Sequence, residues 1–262
     1  MSGTIGTEVD RKSGIATLTF DHQARRNAIT GDMWDAIPEA AARLDEDEDV
    51  RVVVMRGAGD VAFVSGADIS EFERNRSGES AEEYDRSNAR AFAALSSMRK
   101  PLIAMIHGFC VGGGCAIALT ADMRYCDEDG VFAIPAARLG LGYQAGGLET
   151  LVSIVGQAAA REIFFTARRL RAEEALRVGL VNAVVPKAKL PEHVASVARK
   201  IADNAPLTIG SAKFILQELR KPEARRDHAA IDASIHTCYA SDDYAEGVRA
   251  FLEKRPARFA GR

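Results

Sequence analysis

Lys100-Pro101-Leu102-Ile103-Ala104-Met105-Ile106-His107-Gly108-Phe109-Cys110-Val111-Gly112-Gly113-Gly114-Cys115-Ala116 is the stretch that decides the fold. Leu102 to Ile106 is an unbroken apolar run opened by Pro101, the pattern of a buried strand. It ends in a glycine-bearing turn, after which Cys115, Ala116, Ile117, Ala118, Leu119 and Ala121 make an almost wholly apolar helical run. Gly112, Gly113 and Gly114 therefore stand at the N-terminus of a buried helix, where unpaired N–H groups and the positive end of the macrodipole meet. Without Cβ atoms these N–H groups admit a ligand oxygen closely, so the turn is a candidate site for stabilising developing negative charge. The alternative reading of the same letters is a tight turn that glycine merely permits.

Upstream, Val50 to Met55 is a continuous β-branched run, hence a central strand. It leads through Gly57-Ala58-Gly59 into Ala62-Phe63-Val64-Ser65-Gly66-Ala67-Asp68-Ile69, a second glycine-containing loop after a strand, with a helix expected at Ile69 to Phe72. Two such loops are expected to converge. Earlier still, Ile15 to Phe20 alternates as a half-buried strand after a turn at Gly14. Arg25-Arg26-Asn27-Ala28-Ile29-Thr30 ends in a good helix N-cap, with Met33, Ile37, Ala41 and Leu44 on one face of the helix that follows and Pro38 expected to bend it. Arg74 to Glu83 reads as a mobile polar surface segment and Ala89 to Met98 as an amphipathic helix.

Downstream, Met123 to Cys126 and Val131 to Ile134 read as short strands, followed by Pro135-Ala136-Ala137-Arg138-Leu139-Gly140-Leu141-Gly142-Tyr143. Helical spacing resumes at Leu148, Leu151, Val152 and Val155, with further helices at Ala158 to Phe165 and Ala172 to Val178 and a strand at Leu180 to Val185. Four helices then follow without a strand, at Leu190 to Ala202, Leu207 to Leu219, Arg225 to Tyr239 and Asp242 to Glu253. A strandless tail must bury its apolar faces on the body or on neighbouring subunits, which favours oligomerisation.

The chain has 262 residues, 47% of them apolar, enough for one large α/β domain or one domain with a small appendage. A formal charge of −3 gives no basic field for nucleic acid or an anionic membrane, so a phosphate-bearing partner must be held by a local site. Cys110, Cys115, Cys126 and Cys238 lack metal-ligand spacing, and no apolar run approaches a membrane span, so reduced thiols and a cytoplasmic location are expected. His107 reads as a core residue at a strand end. Cys115 would have a lowered pKa at a helix N-terminus, although apolar neighbours argue for inert packing. Gly140-x-Gly142-x-x-Ala145 matches a dinucleotide fingerprint by letter, but no strand ends directly before it.

Taken together, Ser65-Gly66-Ala67-Asp68-Ile69, Lys100-Pro101 with Gly112-Gly113-Gly114-Cys115, Ala172-Glu173-Glu174-Ala175 with Gly179-Leu180-Val181, and Phe251-Leu252-Glu253-Lys254-Arg255 resemble the crotonase superfamily, the enoyl-CoA hydratase/isomerase family. The resemblance runs in order over roughly residues 15 to 260. It implies an α/β fold with a core of repeated ββα units over residues 1–203, a helical trimerisation region over 204–262, and a homotrimer or dimer of trimers that binds acyl-CoA. It further implies that the backbone N–H groups of Ala67 and Gly113 stabilise a thioester enolate. The nucleotide would lie against Arg25, Arg26 and Ala28 and against Gly66, Asp68 and Ile69, beside Gly112. Phe251 and Lys254 match the family's C-terminal contacts to CoA, often across a subunit boundary. No cofactor is implied beyond the coenzyme A of the substrate.

Hydratases of this family carry two glutamates where this chain has Ala116 and Ala136. Water addition needs a base for the water and an acid for the α-carbon, each supplying roughly 10² to 10⁴ in rate, so losing both costs about 5 to 11 kcal/mol if additive. Tyr143, Glu149 or bound water are the candidate substitutes, with Arg138 a candidate partner for a substrate carboxylate. Leu139-Gly140-Leu141-Gly142-Tyr143 is also similar to a segment of the methylmalonyl-CoA decarboxylases of this superfamily. In that chemistry loss of CO2 gives the enolate directly and apolar walls assist departure of the carboxylate. Those decarboxylases carry a histidine at the position of Ala67. The resemblance thus leaves an acyl-CoA lyase of the hydratase/isomerase kind in the lead, with a decarboxylase of a small malonyl-type CoA and a non-catalytic acyl-CoA-binding protein as alternatives.

Overall fold

The computed structural model describes residues 3–68 and 79–262, the first four of helix 79–96 by backbone alone. Ile69, the helix expected at Ile69 to Phe72, and the start of the polar segment from Arg74 lie outside the described residues. A hairpin opens the chain: β1 (Thr4–Asp10) runs antiparallel to β2 (Ile15–Asp21). The next helix, α1 (Gly31–Glu46), is capped by Thr30, whose Oγ1 accepts the Met33 N–H at 3.3 Å. It runs on through Pro38, which removes only the intrahelical bond to the Trp34 carbonyl.

Three successive strand–strand–helix units form the body. They are β3 (Val52–Gly57), β4 (Ala62–Val64) and α2 (Glu79–Ser96); β5 (Leu102–Ile106), β6 (Phe109–Val111) and α3 (Gly113–Thr120); and β7 (Met123–Asp127), β8 (Val131–Ala133) and α4 (Ala145–Thr166). The first strand of each unit joins a six-stranded sheet, ordered β1-β2-β3-β5-β7 with β10 (Ala183–Val185) at its far edge and parallel throughout except for β1. The second strand of each joins a four-stranded sheet, β4-β6-β8 mutually parallel with β9 (Leu170–Arg171) antiparallel at the edge. This is the expected ββα spiral.

Both faces of the larger sheet are covered, which explains the uninterrupted apolar runs. Val53 and Met55 of β3 and Leu102, Ala104 and Ile106 of β5 face the main core, where α1, α2 and α3 pack. Val52, Val54, Ile103 and Met105 face the opposite way, against Leu190, Val194 and Ala198 of α6 (Leu190–Ala202), which comes after the short helix α5 (Ala172–Arg177). The chain finishes with α7 (Pro206–Leu219), α8 (His228–Tyr239) and α9 (Asp242–Leu252). Helix α7 is fastened to the body by Lys213, 9% exposed, whose Nζ donates to the Lys100 carbonyl and to Asp122 Oδ2, both at 2.8 Å. Asp122 Oδ2 also accepts the Leu102 N–H at 2.7 Å, so one buried cation joins the tail to the entrance of β5.

Several elements depart from expectation. The loops at Ala62 to Val64 and Phe109 to Val111 are strands, too short for a period to show. Strand β1 escapes the sequence reading because only alternate residues, Ile5, Thr7 and Val9, are half-buried and none is fully buried, as in an edge strand. Helix α2 begins at Glu79, so the end of the supposed mobile segment is helical, and β10 spans only Ala183–Val185 of the strand expected from Leu180. The break expected between two helices after Val155 is a kink in α4, at Gly156 with φ +75°.

Candidate active site

Since β4, β6 and β8 are parallel neighbours, the segments that follow them leave the same edge of the small sheet. These segments are Ser65 to Asp68, Gly112 to Gly114 and Pro135 to Arg138. Their convergence is close: a Cβ placed on Gly112 would lie 3.9 Å from the Gly66 Cα and 3.8 Å from Pro135 Cδ. One placed on Gly113 would lie 3.8 Å from the Ala67 nitrogen. The Gly112 N–H donates to Ala133 O at 2.8 Å, tying the second segment to the strand that delivers the third.

Gly112 starts α3 at φ +54°, a left-handed conformation that only glycine adopts without strain. Gly114 is required for a different reason: its Cβ would fall 2.1 Å from the Val64 carbonyl oxygen, where the helix start presses on the end of β4. Among the described residues neither the Ala67 N–H nor the Gly113 N–H has a protein acceptor. Ala67 has this freedom because its neighbours make the bonds: Ile29 N–H donates to Gly66 O at 2.8 Å, and Asp68 N–H to Ile29 O at 2.9 Å. Two unpaired amide donors thus flank one turn at the positive end of an apolar helix.

The Arg25 to Ala28 loop is laced onto the first segment. Ser65 donates through its N–H to Arg26 O and through Oγ to Arg25 O, each at 3.1 Å. Arg25 and Arg26 are exposed, and the Arg26 guanidinium sits 4.9 Å over the Phe109 ring. Ala28 is buried, and its carbonyl accepts from His22 Nδ1 at 2.9 Å. The loop turns through positive φ at Arg26 (+53°) and Asn27 (+56°). Asn27, 1% exposed, holds it there, donating to Ala58 O at 2.9 Å and Ala62 O at 2.8 Å and accepting the His22 N–H at 3.0 Å. Asn27 was not singled out from sequence, although asparagine is the side chain that tolerates left-handed backbone best.

Ala136 is buried and Ala116 half-buried, and each presents only a methyl group. The Leu141 N–H returns to Ala136 O at 3.1 Å and brings Tyr143 in behind it. Tyr143 packs edge-on against Phe164, centroids 5.1 Å apart, and over Gly147. Burial pushes its phenol up to about 12, with nearby Cys115 adding to the effect. Its hydroxyl makes no hydrogen bond with the described residues.

Other candidates lie elsewhere. Glu149 is exposed and lines an open cleft of about 550 Å³ with Gln217, Arg220, Lys221, Pro222 and Arg225, not the converging turns. Arg138 is exposed at the rim. Phe251, 84% exposed, and Lys254 sit at the end of α9, and within one chain neither reaches the turns by any described contact. Cys115 is sealed: its thiol donates to Cys110 O at 2.8 Å, and the void of about 10 Å³ beside it is walled by apolar side chains such as Leu119, Phe132 and Leu151. Burial likewise raises the thiols of Cys110 and Cys126, the latter to about 12. His107 is buried and neutral, pushed down to about 4 by burial and then by Arg56 and Lys187, but its Nε2 finds no partner, unlike the satisfied core histidine expected. No described cluster of His, Cys, Asp or Glu is placed to share a metal ion.

Comparison with known proteins places these features in context. A family model described as enoyl-CoA hydratase/isomerase matches residues 10–262. The crotonyl-CoA hydratase of Syntrophomonas wolfei is 32% identical over 251 residues, covering 96% of each chain. The peroxisomal Δ(3,5)-Δ(2,4)-dienoyl-CoA isomerase of Arabidopsis thaliana is 34% identical over 268 residues, 97% of this chain and 96% of that one. Among solved structures, an enoyl-CoA hydratase/carnithine racemase from Magnetospirillum magneticum superposes with a TM-score of 0.89 at 35% identity, covering 95% of this chain and 93% of its own.

Proposed function

The chain belongs to the enoyl-CoA hydratase/isomerase family, and on that premise we propose that it is an acyl-CoA lyase that stabilises a thioester enolate between the N–H groups of Ala67 and Gly113. The observation that carries this reading is the pair of amide donors, on two facing loops, left without acceptors among the described residues. Each such donor is worth about 2.7–4 kcal/mol of transition-state stabilisation, because it is fixed before charge develops. In this reading Arg25 and Arg26 meet the CoA phosphates, Ala28, Gly66, Asp68 and Gly112 line its path, and Ala116 and Ala136 form the wall beside the acyl group. Arg138 stands at the rim for a substrate carboxylate. Phe251 and Lys254 serve across a subunit boundary in a homotrimer or dimer of trimers. No cofactor beyond the substrate's own CoA enters the reading.

Tyr143, not Glu149, is the proton donor we assign: it is half-buried next to Cys115 at the glycine turn, whereas Glu149 faces the solvent cleft. With its phenol raised to about 12, Tyr143 stays protonated through the neutral range and offers a neutral acid to the enolate carbon.

A second reading is favoured by the two alanines. Where both carboxylates are replaced by apolar wall, an enolate made without a base has the advantage. Cleavage of the bond to a malonyl-type carboxylate leaves its electron pair in the enolate and releases CO2, and the α-carbon then takes a proton from Tyr143. Incubation with crotonyl-CoA, methylmalonyl-CoA and ethylmalonyl-CoA separates the possibilities. Loss of the enoyl absorbance supports hydration and CO2 release supports decarboxylation. Tight CoA-ester binding without turnover on any of the three overturns the lyase assignment in favour of a binding protein.

A further inference from the structure

Trp34 is the only tryptophan of the chain, and it is 1% exposed. Its benzo ring lies against the Cα of Gly113: a Cβ there would meet Cζ2 at 3.2 Å and Cη2 at 3.4 Å, on the side where the Ala67 nitrogen stands at 3.8 Å. Trp34 is itself held at three points, two on the indole and one on the backbone. Nε1–H donates to Tyr84 Oη at 3.1 Å, Phe92 packs edge-on at 5.3 Å, and the Trp34 backbone N–H donates to Thr30 O at 3.0 Å in the first turn of α1. Five residues earlier, Ile29 makes the two backbone bonds that leave the Ala67 N–H unpaired. One helix start therefore holds both loops, the first through the Ile29 backbone and the second through the Trp34 ring.

From this geometry we infer that Trp34 is a positioning residue that sets the separation of the Ala67 and Gly113 amides, and that its bond to Tyr84 couples helix α2 to that separation. The inference rests on the thioester reading above. A buried indole N–H needs a partner in any case, so the bond to Tyr84 fixes how the ring is turned; contact with a glycine Cα is what a side chain that merely filled core volume would not need. Phenylalanine keeps most of the apolar volume but lacks the benzo ring that reaches Gly113.

The test compares acetyl-CoA with S-ethyl-CoA, a thioether of similar size without the carbonyl, by measuring dissociation constants for the wild type, Trp34→Phe and Tyr84→Phe. The wild type is expected to favour acetyl-CoA. In Trp34→Phe that preference is expected to fall about tenfold while S-ethyl-CoA affinity stays within twofold, and Tyr84→Phe is expected to fall between. Equal weakening of both ligands, or an unchanged preference in Trp34→Phe, overturns the inference. Absence of any preference in the wild type overturns the oxyanion reading itself, and this inference with it. If Trp34→Phe shows no cooperative melt, emission of the lone tryptophan in the wild type decides: acetyl-CoA is expected to shift it and S-ethyl-CoA to leave it nearly unchanged. Identical responses would count against the inference.

Discussion

Tyr143 is half-buried and its hydroxyl has no hydrogen-bond partner among the described residues, so Tyr143→Phe separates packing from chemistry. Removing an unpaired hydroxyl should leave the melting temperature unchanged or slightly raised, while kcat drops by about 10² or more with KM little altered. Full retained turnover would reduce Tyr143 to a packing residue against Phe164. His107 makes a second prediction, in stability. Its folded pKa near 4 lies below the ordinary value of 6.5, so the folded state binds fewer protons between these limits. Its contribution is complete above about pH 6.5 and disappears as pH falls towards 4, a loss of about 3 kcal/mol. Urea titrations from pH 7 to pH 4 should show a shallower decline for His107→Leu than for the wild type, and parallel curves would contradict this.

Among elements, the loop from Arg25 to Ala28 shows how local strain is held. Two consecutive positive-φ residues cost about 1–3 kcal/mol each, and the Asn27 side chain offsets this by satisfying the carbonyls of Ala58 and Ala62, on the turn before β4 and at its first residue. Asn27→Ala should destabilise by about 3 kcal/mol in urea melts and weaken CoA-ester binding; a loss below about 0.5 kcal/mol would show that the loop holds itself. Helix α7 depends in a similar way on Lys213. Removing one partner of a sealed ion pair costs about 3–5 kcal/mol, but the Asp122 side chain is 33% exposed, so about 2 kcal/mol is expected for Lys213→Met. The same scale explains what the sequence let one read. Leu102–Ile106 was legible because burial on both faces makes a continuous apolar run, and the glycines marked both turns. The three-residue strands β4 and β6 carry too little pattern to register, and the tasks of Asn27 and Trp34 exist only after distant segments meet.

At the scale of the whole molecule, the strandless tail leaves apolar surface uncovered. Leu216, Leu219, Ile235, Tyr239, Tyr244 and Val248 are all exposed on α7, α8 and α9 of a single chain. Such a set fits subunit contacts, so sedimentation should give three or six times 28.2 kDa. Leu216→Asp with Tyr239→Asp should shift the mass towards one chain, and an unassociated wild type would contradict the assembly. The larger design is a body of stacked ββα units that delivers two loops to one edge, and in the proposed function their amides, not their side chains, hold the thioester oxygen. That is the central claim, and a crystal structure of the acetyl-CoA complex tests it most directly. The account predicts the thioester oxygen about 2.7–3.1 Å from both the Ala67 and the Gly113 nitrogen. A carbonyl oxygen bound elsewhere, or reached by only one of the two amides, would contradict it.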